Sequence, residues 1–241
     1  MGKKVVENKY DLDKILKNKW KVNINEENKL DELVKMVNLI KGMEIKLKYN
    51  CIKVGPSGIH GLGIFATEDI PANKIVTFYP AHSVTIKGES SKQNKIIEGT
   101  VAFRENYDLY YDLYTLGDTS KMFGEYEITG DPHNRQNNLF LGHLLNDSHG
   151  NLFDGIKREE LHNYELCWEI FEEYKMLGSG NCYIEGFDDL PIFYIRTCKH
   201  VKKGTELLTL YGPSYWYGIE YKNIENIEQE ISDLKNLAYY D

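Results

Sequence analysis

Two short stretches of this sequence combine residue types suited to building a ligand site from backbone groups and aromatic rings. The first is the glycine-rich turn His60-Gly61-Leu62-Gly63, and glycine lets backbone approach a ligand closely because it carries no Cβ. In the second, an apolar run ends at Tyr211-Gly212 and is followed by Tyr215 and Trp216. Taken alone, each stretch also has a plain structural interpretation. The first would be a hairpin turn, and the second a core strand capped by surface aromatic residues.

The glycine turn does not match a dinucleotide-binding fingerprint. The pattern Gly61-x-Gly63 is not followed by a helical pattern, and the third glycine of that fingerprint is missing. Instead, Leu62 to Ala66 predicts a strand, and a polar turn and another strand, Lys74 to Pro80, follow it. Many tight turns contain two glycines, so this stretch alone does not identify a function.

Four motifs in chain order strengthen the signal. They are Gly61 to Ala66, Leu141 to Ser148, Asn181-Cys182, and Gly204 to Gly212. Together they resemble the SET-domain family of protein lysine methyltransferases over residues 50–216, and the ending is closest to the PR/SET branch. Several features depart from the family pattern. Near Tyr79, Pro80-Ala81 replaces the usual ending of a Tyr-x-Gly motif, and Thr205 replaces the first glutamate of the last motif. Asp147 stands where histidine is usual, and residues 149–180 interrupt the third motif.

The resemblance implies a chain that binds S-adenosylmethionine and holds no metal. The cofactor-binding residues that it implies are His60, Gly61, Leu62, Gly63, Asn146, Asp147, Tyr211 and Trp216. Tyr211 is also the implied catalytic tyrosine. Tyr79 is a second catalytic candidate, with a buried structural tyrosine as the alternative. Thr209 and Tyr215 are the implied residues of the substrate channel.

The same resemblance implies an α+β fold that is mainly β, a SET-type fold of small antiparallel sheets with a pseudoknot and added helices. Residues 1–49 are expected to form an N-terminal helical extension, residues 50–216 the SET-like domain, and residues 217–241 a C-terminal helix. A variable insert is expected at about 83–125 and a helical insertion at about 149–180.

Apolar spacing supports three of these helices. The three apolar sets are Leu30, Leu33, Val34, Val37 and Ile40, then Leu161, Tyr164, Trp168, Phe171 and Tyr174, and last Ile224, Ile227, Ile231, Leu234 and Ala238. Acidic residues in the first turn and Gly42 at the end bound the first helix. Residues 87–95 are rich in serine, lysine and glycine and predict a loop, and residues 125–131 predict a strand and a turn.

Composition excludes several classes of protein. A net charge of −8 over 241 residues disfavours direct binding to nucleic acid, which needs a basic surface. No apolar run reaches the ~20 residues of a membrane span, and the N-terminus lacks a signal-peptide core. We therefore expect an intracellular protein, nuclear or cytoplasmic, with no membrane partner. The widely spaced cysteines Cys51, Cys167, Cys182 and Cys198 predict reduced thiols rather than a zinc site or disulfides.

Two functions are consistent with the sequence. The first is an S-adenosylmethionine-dependent protein lysine N-methyltransferase, which acts on a lysine of a histone or another protein partner. The second is a SET-like domain that has lost catalysis and serves as a peptide-binding or assembly module. Asp147, Pro80 and the 149–180 insertion motivate the second hypothesis. The sequence predicts no oligomeric state.

Overall fold

The computed structural model describes thirteen stretches of the chain. They are residues 27–42, 51–86, 93–96, 114–120, 124–132, 135, 138–150, 155–157, 160, 163–176, 180–187, 190–212 and 215–216. The chain divides into two compact units. The first unit comprises Met1–Asn50, Ile75–His143 and Ile184–Arg196, and the second comprises Cys51–Lys74, Leu144–Tyr183 and Thr197–Asp241. Residues 1–26 and the predicted C-terminal helix of 217–241 lie outside the described residues.

Short strands dominate the described parts of the chain, as expected for a mainly β fold. The strands are β1 (Ile52–Pro56), β2 (Leu62–Ala66), β3 (Ile75–Phe78), β4 (Ser83–Ile86), β5 (Gln93–Ile96), β6 (Thr115–Ser120), β7 (Gly124–Thr129), β8 (Asn146–Asp147), β9 (Cys182–Phe187), β10 (Leu190–Thr197) and β11 (Glu206–Thr209). The α-helices are α1 (Lys29–Gly42) and α2 (Tyr164–Met176), and 3₁₀ turns span Asn138–Phe140 and Gly142–Leu144.

The first unit contains helix α1, a four-stranded antiparallel sheet and most of a three-stranded sheet. One sheet has the strand order β5-β4-β7-β6 and the other β3-β10-β9. Alternating residues of β7, Tyr126 and Ile128, are fully buried, as the two-residue period of a half-buried strand requires. Helix α1 buries Leu30 and Leu33 and ends at Gly42, which confirms the predicted amphipathic helix.

Strand β5 differs from the sequence-based expectation of a loop over residues 87–95. Residues 93–96 are a polar edge strand that pairs with β4, with Ser83 opposite Ile96 and Ile86 opposite Gln93. An edge strand is held by backbone hydrogen bonds along one side, so it needs no alternating apolar side chains. The polar composition therefore gave no strand signal.

The second unit is built on the sheet β1-β2-β11-β8. Strands β1 and β2 form the predicted hairpin, with Ile52 opposite Ala66 and Pro56 opposite Leu62. Strand β11 lies antiparallel to β2 and parallel to β8, with Leu208 opposite Asn146. The sheet is therefore mixed rather than wholly antiparallel. A parallel pair needs a long crossover connection, which the chain between β8 and β11 provides.

Helix α2 occupies the predicted insertion. Its first turn is capped by Asn163, whose Oδ1 accepts hydrogen bonds from the amides of Glu165 (3.1 Å) and Leu166 (3.3 Å). Tyr174 is buried as expected, but Trp168 is 49% exposed. The helical wheel explains the difference, because Trp168 lies about 110° from the face that Ile170, Phe171 and Tyr174 bury. Leu161 lies outside the described residues.

No helix in the described part of the chain is long and apolar enough to cross a membrane. The described cysteine side chains, Cys51, Cys182 and Cys198, are thiols rather than halves of disulfides. Burial is the main cause that raises the pKa of the Cys51 thiol to about 11, so this residue is an unreactive core thiol at neutral pH.

His143 is a buried histidine in the first unit. Its ring contacts His82, Tyr79 and Tyr114 edge to face, with ring centroids 5.9–6.4 Å apart. Neither ring nitrogen has a hydrogen-bond partner among the described residues, since the nearby Asp131 amide donates to His82 Nδ1 instead (2.8 Å). Burial, followed by the neighbouring His82, lowers the pKa of His143 from 6.5 to about 3. The imidazole is therefore neutral in the folded protein.

This buried histidine predicts a loss of stability in mild acid. Between pH 6.5 and pH 3 the unfolded chain binds a proton at His143 that the folded protein does not bind, so stability falls as the pH falls through this range. We expect the His143 contribution to fall by about 2 kcal/mol between pH 7 and pH 5. Urea unfolding at both pH values should show a smaller acid loss for His143→Phe than for wild type. The exposed His200 gives the control His200→Gln, and equal acid losses in wild type and His143→Phe would contradict the expectation.

Candidate functional site

The predicted site residues, apart from Tyr79, all belong to the second unit. They lie in three segments, which are the turn after β1 with the start of β2, strand β8, and the end of β11 with the residues after it. The sheet order β1-β2-β11-β8 places these segments side by side. Tyr79 belongs to the first unit, where it is buried beside His143, and its catalytic role stays a prediction.

Asn146 holds the glycine turn in place from inside the second unit. Its Nδ2 lies within hydrogen-bonding distance of three acceptors, the backbone carbonyls of His60 (3.0 Å) and Leu62 (2.9 Å) and Glu206 Oε1 (3.0 Å), which share its two hydrogens. The side chain is buried, so water does not compete for these acceptors. The amide of Asn146 therefore fixes the shape of the turn, with the carbonyl groups of His60 and Leu62 directed inward.

Gly63 allows the close approach of the Glu206 carboxylate. A Cβ on Gly63 would lie 2.1 Å from Glu206 Oε1 and 3.2 Å from Asn146 Nδ2, which no real side chain could occupy without moving them. The other carboxylate oxygen, Oε2, accepts a hydrogen bond from Ser57 Oγ (3.0 Å). Gly61 is favoured for a different reason, because its φ of +50° lies in the left-handed region, which glycine adopts without steric cost.

Asp147 is a buried carboxylate with four hydrogen-bond donors among the described residues. Its Oδ2 accepts from the Tyr174 hydroxyl (2.6 Å), the Tyr211 amide (2.9 Å) and Trp216 Nε1 (3.0 Å), and its Oδ1 accepts from the His149 amide (2.9 Å). Only 2% of the residue is exposed. A buried charge needs such compensation, because the loss of hydration would otherwise cost several kcal/mol.

Tyr211 is fixed at its backbone and at its hydroxyl. The amide donates to Asp147, and the hydroxyl donates to the backbone carbonyl of Leu145 (2.5 Å). Its ring stacks on Trp216 with the ring centroids 5.8 Å apart, and Tyr215 meets it edge to face at 4.6 Å. With the hydroxyl hydrogen directed at Leu145, the phenol oxygen acts toward any further group as an acceptor.

Of the two predicted channel residues, Tyr215 contacts the Tyr211 ring. Thr209 is buried in β11 opposite Asp147, and its carbonyl accepts the Ser148 amide (2.8 Å). Its described contacts are those of a strand residue. The channel role of both residues stays a prediction.

Three further side chains support this site, although the sequence does not indicate them as site residues. They are Glu206, Tyr174 and Asn181. Asn181 bridges β11 through its side chain, with Nδ2 donating to the Glu206 carbonyl (2.7 Å) and Oδ1 accepting from the Leu208 amide (2.8 Å). Glu206 stands in a motif, but nothing local indicates that its carboxylate lies against Gly63. Tyr174 was predicted on the apolar face of a helix, and periodicity does not reveal the partner of a hydroxyl.

Replacing Gly63 by alanine should displace Glu206 and break its hydrogen bonds to Asn146 and Ser57. We expect a loss of about 1–2 kcal/mol in the free energy of unfolding, measured with urea. The control is Gly58→Ala, because no described atom lies within 4 Å of a Cβ at Gly58. If the two variants unfold at the same urea concentration, the steric interpretation of Gly63 fails.

Replacing Asp147 by asparagine should be more costly. Whichever way the amide is turned, its NH₂ group faces at least one hydrogen-bond donor, and the negative charge is lost. We expect a loss of about 2–4 kcal/mol at pH 7 by the same measurement. The exposed Asp69, which accepts the Lys203 amide, provides the control Asp69→Asn with an expected loss of at most about 1 kcal/mol. Similar losses in the two variants would argue against the Asp147 network.

Comparison with known proteins identifies the family of this chain. The family model described as the SET domain matches residues 61–212, from Gly61 to Gly212. No curated protein matches the chain. Matching solved structures include a crystal structure of a Plasmodium falciparum candidate histone methyltransferase. It is 18% identical, covers 70% of this chain and 98% of its own, and has a TM-score of 0.35. Because the family model spans more than half of the sequence, this chain belongs to the SET-domain family.

Proposed function

We propose that this protein is an S-adenosylmethionine-dependent protein lysine N-methyltransferase. The proposal depends on Tyr211. In this SET-domain protein, hydrogen bonds hold Tyr211 at both its backbone amide and its hydroxyl. A tyrosine fixed in this way suits a reaction that depends on the placement of an amine rather than on a covalent intermediate. Correct placement of reacting groups can supply ~7–11 kcal/mol of the barrier.

The second unit fits a cofactor that backbone groups hold. Gly61 is buried, yet no described atom lies within 4 Å of the position of a Cβ on it, so this side of the turn offers room beside the backbone. Ser148 Oγ is buried without a hydrogen-bond partner among the described residues, which leaves it able to pair with a polar ligand. S-adenosylmethionine, when bound, supplies an electrophilic methyl group on a positively charged sulfur.

The cofactor would be held by the backbone around Gly61 and by the backbone of the Asn146 to Ser148 segment. The side chains of Asn146 and Asp147 already make internal hydrogen bonds, to the glycine turn and to the Tyr211 network. The replacement of histidine by Asp147 is therefore compatible with cofactor binding through backbone groups. No group of three or more potential metal ligands occurs in the described residues.

Tyr211 would orient the lysine amine through its phenol oxygen. Because the hydroxyl hydrogen lies on the Leu145 carbonyl, the oxygen can accept an N–H from the amine or a weak C–H contact from the methyl group. Free lysine, with a pKa of ~10.4, is mostly protonated at pH 7. The partly buried rings of Tyr211 and Tyr215 would disfavour the ammonium form by desolvation, so that the nitrogen lone pair is available for transfer.

Two of the three features that motivated the alternative of an inactive module, Asp147 and the 149–180 insertion, belong to one hydrogen-bond network. The third, Pro80, belongs to the first unit. Asp147 and Tyr174, the latter from the insertion, both connect to Tyr211 or Gly212. Their presence therefore supports a maintained site and does not favour the loss of catalysis.

The substitution Tyr211→Phe tests the proposal. Purified wild type and variant are incubated with methyl-labelled S-adenosylmethionine and with either histones or a whole-cell lysate. We expect the wild type to label a defined protein, and the variant to label it about 100-fold more slowly, because small misplacements of reacting groups cost this much. Tyr183→Phe, at a half-exposed tyrosine, serves as the matched control and should retain the wild-type rate.

The contrary outcome is equally informative. If a folded, cofactor-saturated wild type labels nothing above the level of Tyr211→Phe in either pool, the enzyme proposal is wrong. The peptide-binding or assembly module then becomes the better description of the protein.

A further inference from the structure

We propose that Tyr174, which the inserted helix α2 supplies, is a positioning residue for Tyr211. The inference rests on the proposed function, since it assigns a role in placing the methyl-transfer tyrosine. It concerns the hydroxyl of Tyr174, which is both a donor and an acceptor within the second unit.

The Tyr174 hydroxyl and Asp147 together bind two consecutive backbone amides, those of Gly212 and Tyr211. The hydroxyl donates to Asp147 Oδ2 (2.6 Å) and accepts from the Gly212 amide (3.0 Å). The preceding amide, that of Tyr211, donates to the same Asp147 oxygen (2.9 Å). The peptide unit between Tyr211 and Gly212 therefore cannot rotate without breaking a hydrogen bond. The Cα that carries the Tyr211 ring lies between these two held amides, so the same hydrogen bonds restrict the direction in which the ring leaves the backbone toward Leu145.

Helix α2 is able to hold this hydroxyl firmly. Tyr174 is 2% exposed and packs with Trp216, and Ile170 and Phe171 of the same helix pack against this pair. Burial, together with the hydrogen bond to Asp147, raises the pKa of Tyr174. The hydroxyl therefore keeps its hydrogen at neutral pH and remains a donor to the carboxylate.

Asp147 and Tyr174 also explain each other. A neutral histidine at position 147 would have one acceptor nitrogen, which could not accept from Tyr174, the Tyr211 amide and Trp216 together. The carboxylate can accept all three. The aspartate and the insertion, two of the departures from the family pattern, are thus parts of a single arrangement around Tyr211.

A purely structural role for Tyr174 predicts different behaviour from a positioning role. If the hydroxyl only stabilised α2, its loss would lower the number of folded molecules and leave each remaining molecule fully active. If it positions Tyr211, each folded molecule that binds cofactor would turn over more slowly. The rate per cofactor-binding site separates these two cases.

The experiment compares the full chain with Tyr174→Phe and two controls. Asn163→Ala removes the N-cap at the opposite end of α2 from Tyr174, and Tyr183→Phe removes a half-exposed hydroxyl of β9. Sites are counted by the stoichiometry of S-adenosylhomocysteine binding, and methyl transfer is measured per site well below the unfolding temperature. Hydrogen exchange of the Gly212 and Tyr211 amides is followed in parallel.

We expect Tyr174→Phe to lower kcat per site by about 10-fold, the equivalent of one lost hydrogen bond, while the Kd for S-adenosylhomocysteine changes by less than about threefold. Protection of the Gly212 amide should fall by about 10-fold in the same variant. Both controls should keep the wild-type rate per site and the wild-type protection of Gly212.

Each other outcome is decisive in a different way. If the wild type transfers methyl groups and Tyr174→Phe has the same rate per site, Tyr174 is structural and the inference is wrong while the proposed function stands. If Asn163→Ala slows each site as much as Tyr174→Phe does, the effect belongs to the stability of the helix and the inference is again wrong. A wild type without methyl transfer overturns the proposed function. In that case unchanged Gly212 exchange in Tyr174→Phe shows separately that the hydroxyl does not hold this amide.

Discussion

A buried negative charge is the constraint on which the second unit depends. Asp147 has lost nearly all contact with water, and the free energy of that loss must be recovered from hydrogen-bond donors placed around the carboxylate. The donors come from the inserted helix, from the start of the Tyr211-Gly212 segment, from the indole of Trp216 and from the backbone just after β8. Any rearrangement of these elements would leave the buried carboxylate without hydrogen-bond donors, so this one carboxylate sets their mutual positions.

Close backbone contacts supply the second constraint. Gly180 lies very close to strand β11. A Cβ on Gly180 would lie 2.2 Å from the Leu208 carbonyl oxygen. On the neighbouring residue, Asn181 pairs with the backbone of β11 through both ends of its side-chain amide. Together with the glycine at position 63, these contacts fix β11 between the glycine turn and β8. Tyr211 lies two residues beyond this strand, so the rigidity of β11 extends to the start of the Tyr211 segment.

Much of this arrangement can be predicted from the sequence, for identifiable physical reasons. Helix α1 and the hairpin of β1 and β2 have the correct hydrophobic period and turn residues, and the order of the motifs predicts the family. The edge strand β5 is not predicted because backbone pairing, and not an apolar pattern, holds it. The burial of Trp168 is wrongly predicted because its spacing fits a helix, whereas its angle on the helical wheel lies away from the buried face. The links between Glu206 and Gly63 and between Tyr174 and Asp147 are contacts between side chains far apart in sequence, which no local pattern encodes. Tyr79, which the resemblance grouped with the other site residues, belongs to the first unit, and the sequence alone does not reveal this division.

The parallel pairing of β8 with β11 has a consequence for how such an insertion can arise. The chain between Asn146 and Leu208 forms a closed loop, and residues 149–180 roughly double its length. The entropy of closing a loop grows only with the logarithm of its length, so a doubling costs about 0.6 kcal/mol. A net gain of about 1 kcal/mol from a single new hydrogen bond is enough to offset that cost. A lineage could therefore lengthen this crossover at little thermodynamic penalty, and then recruit a side chain from the added helix to the residues it happens to cover.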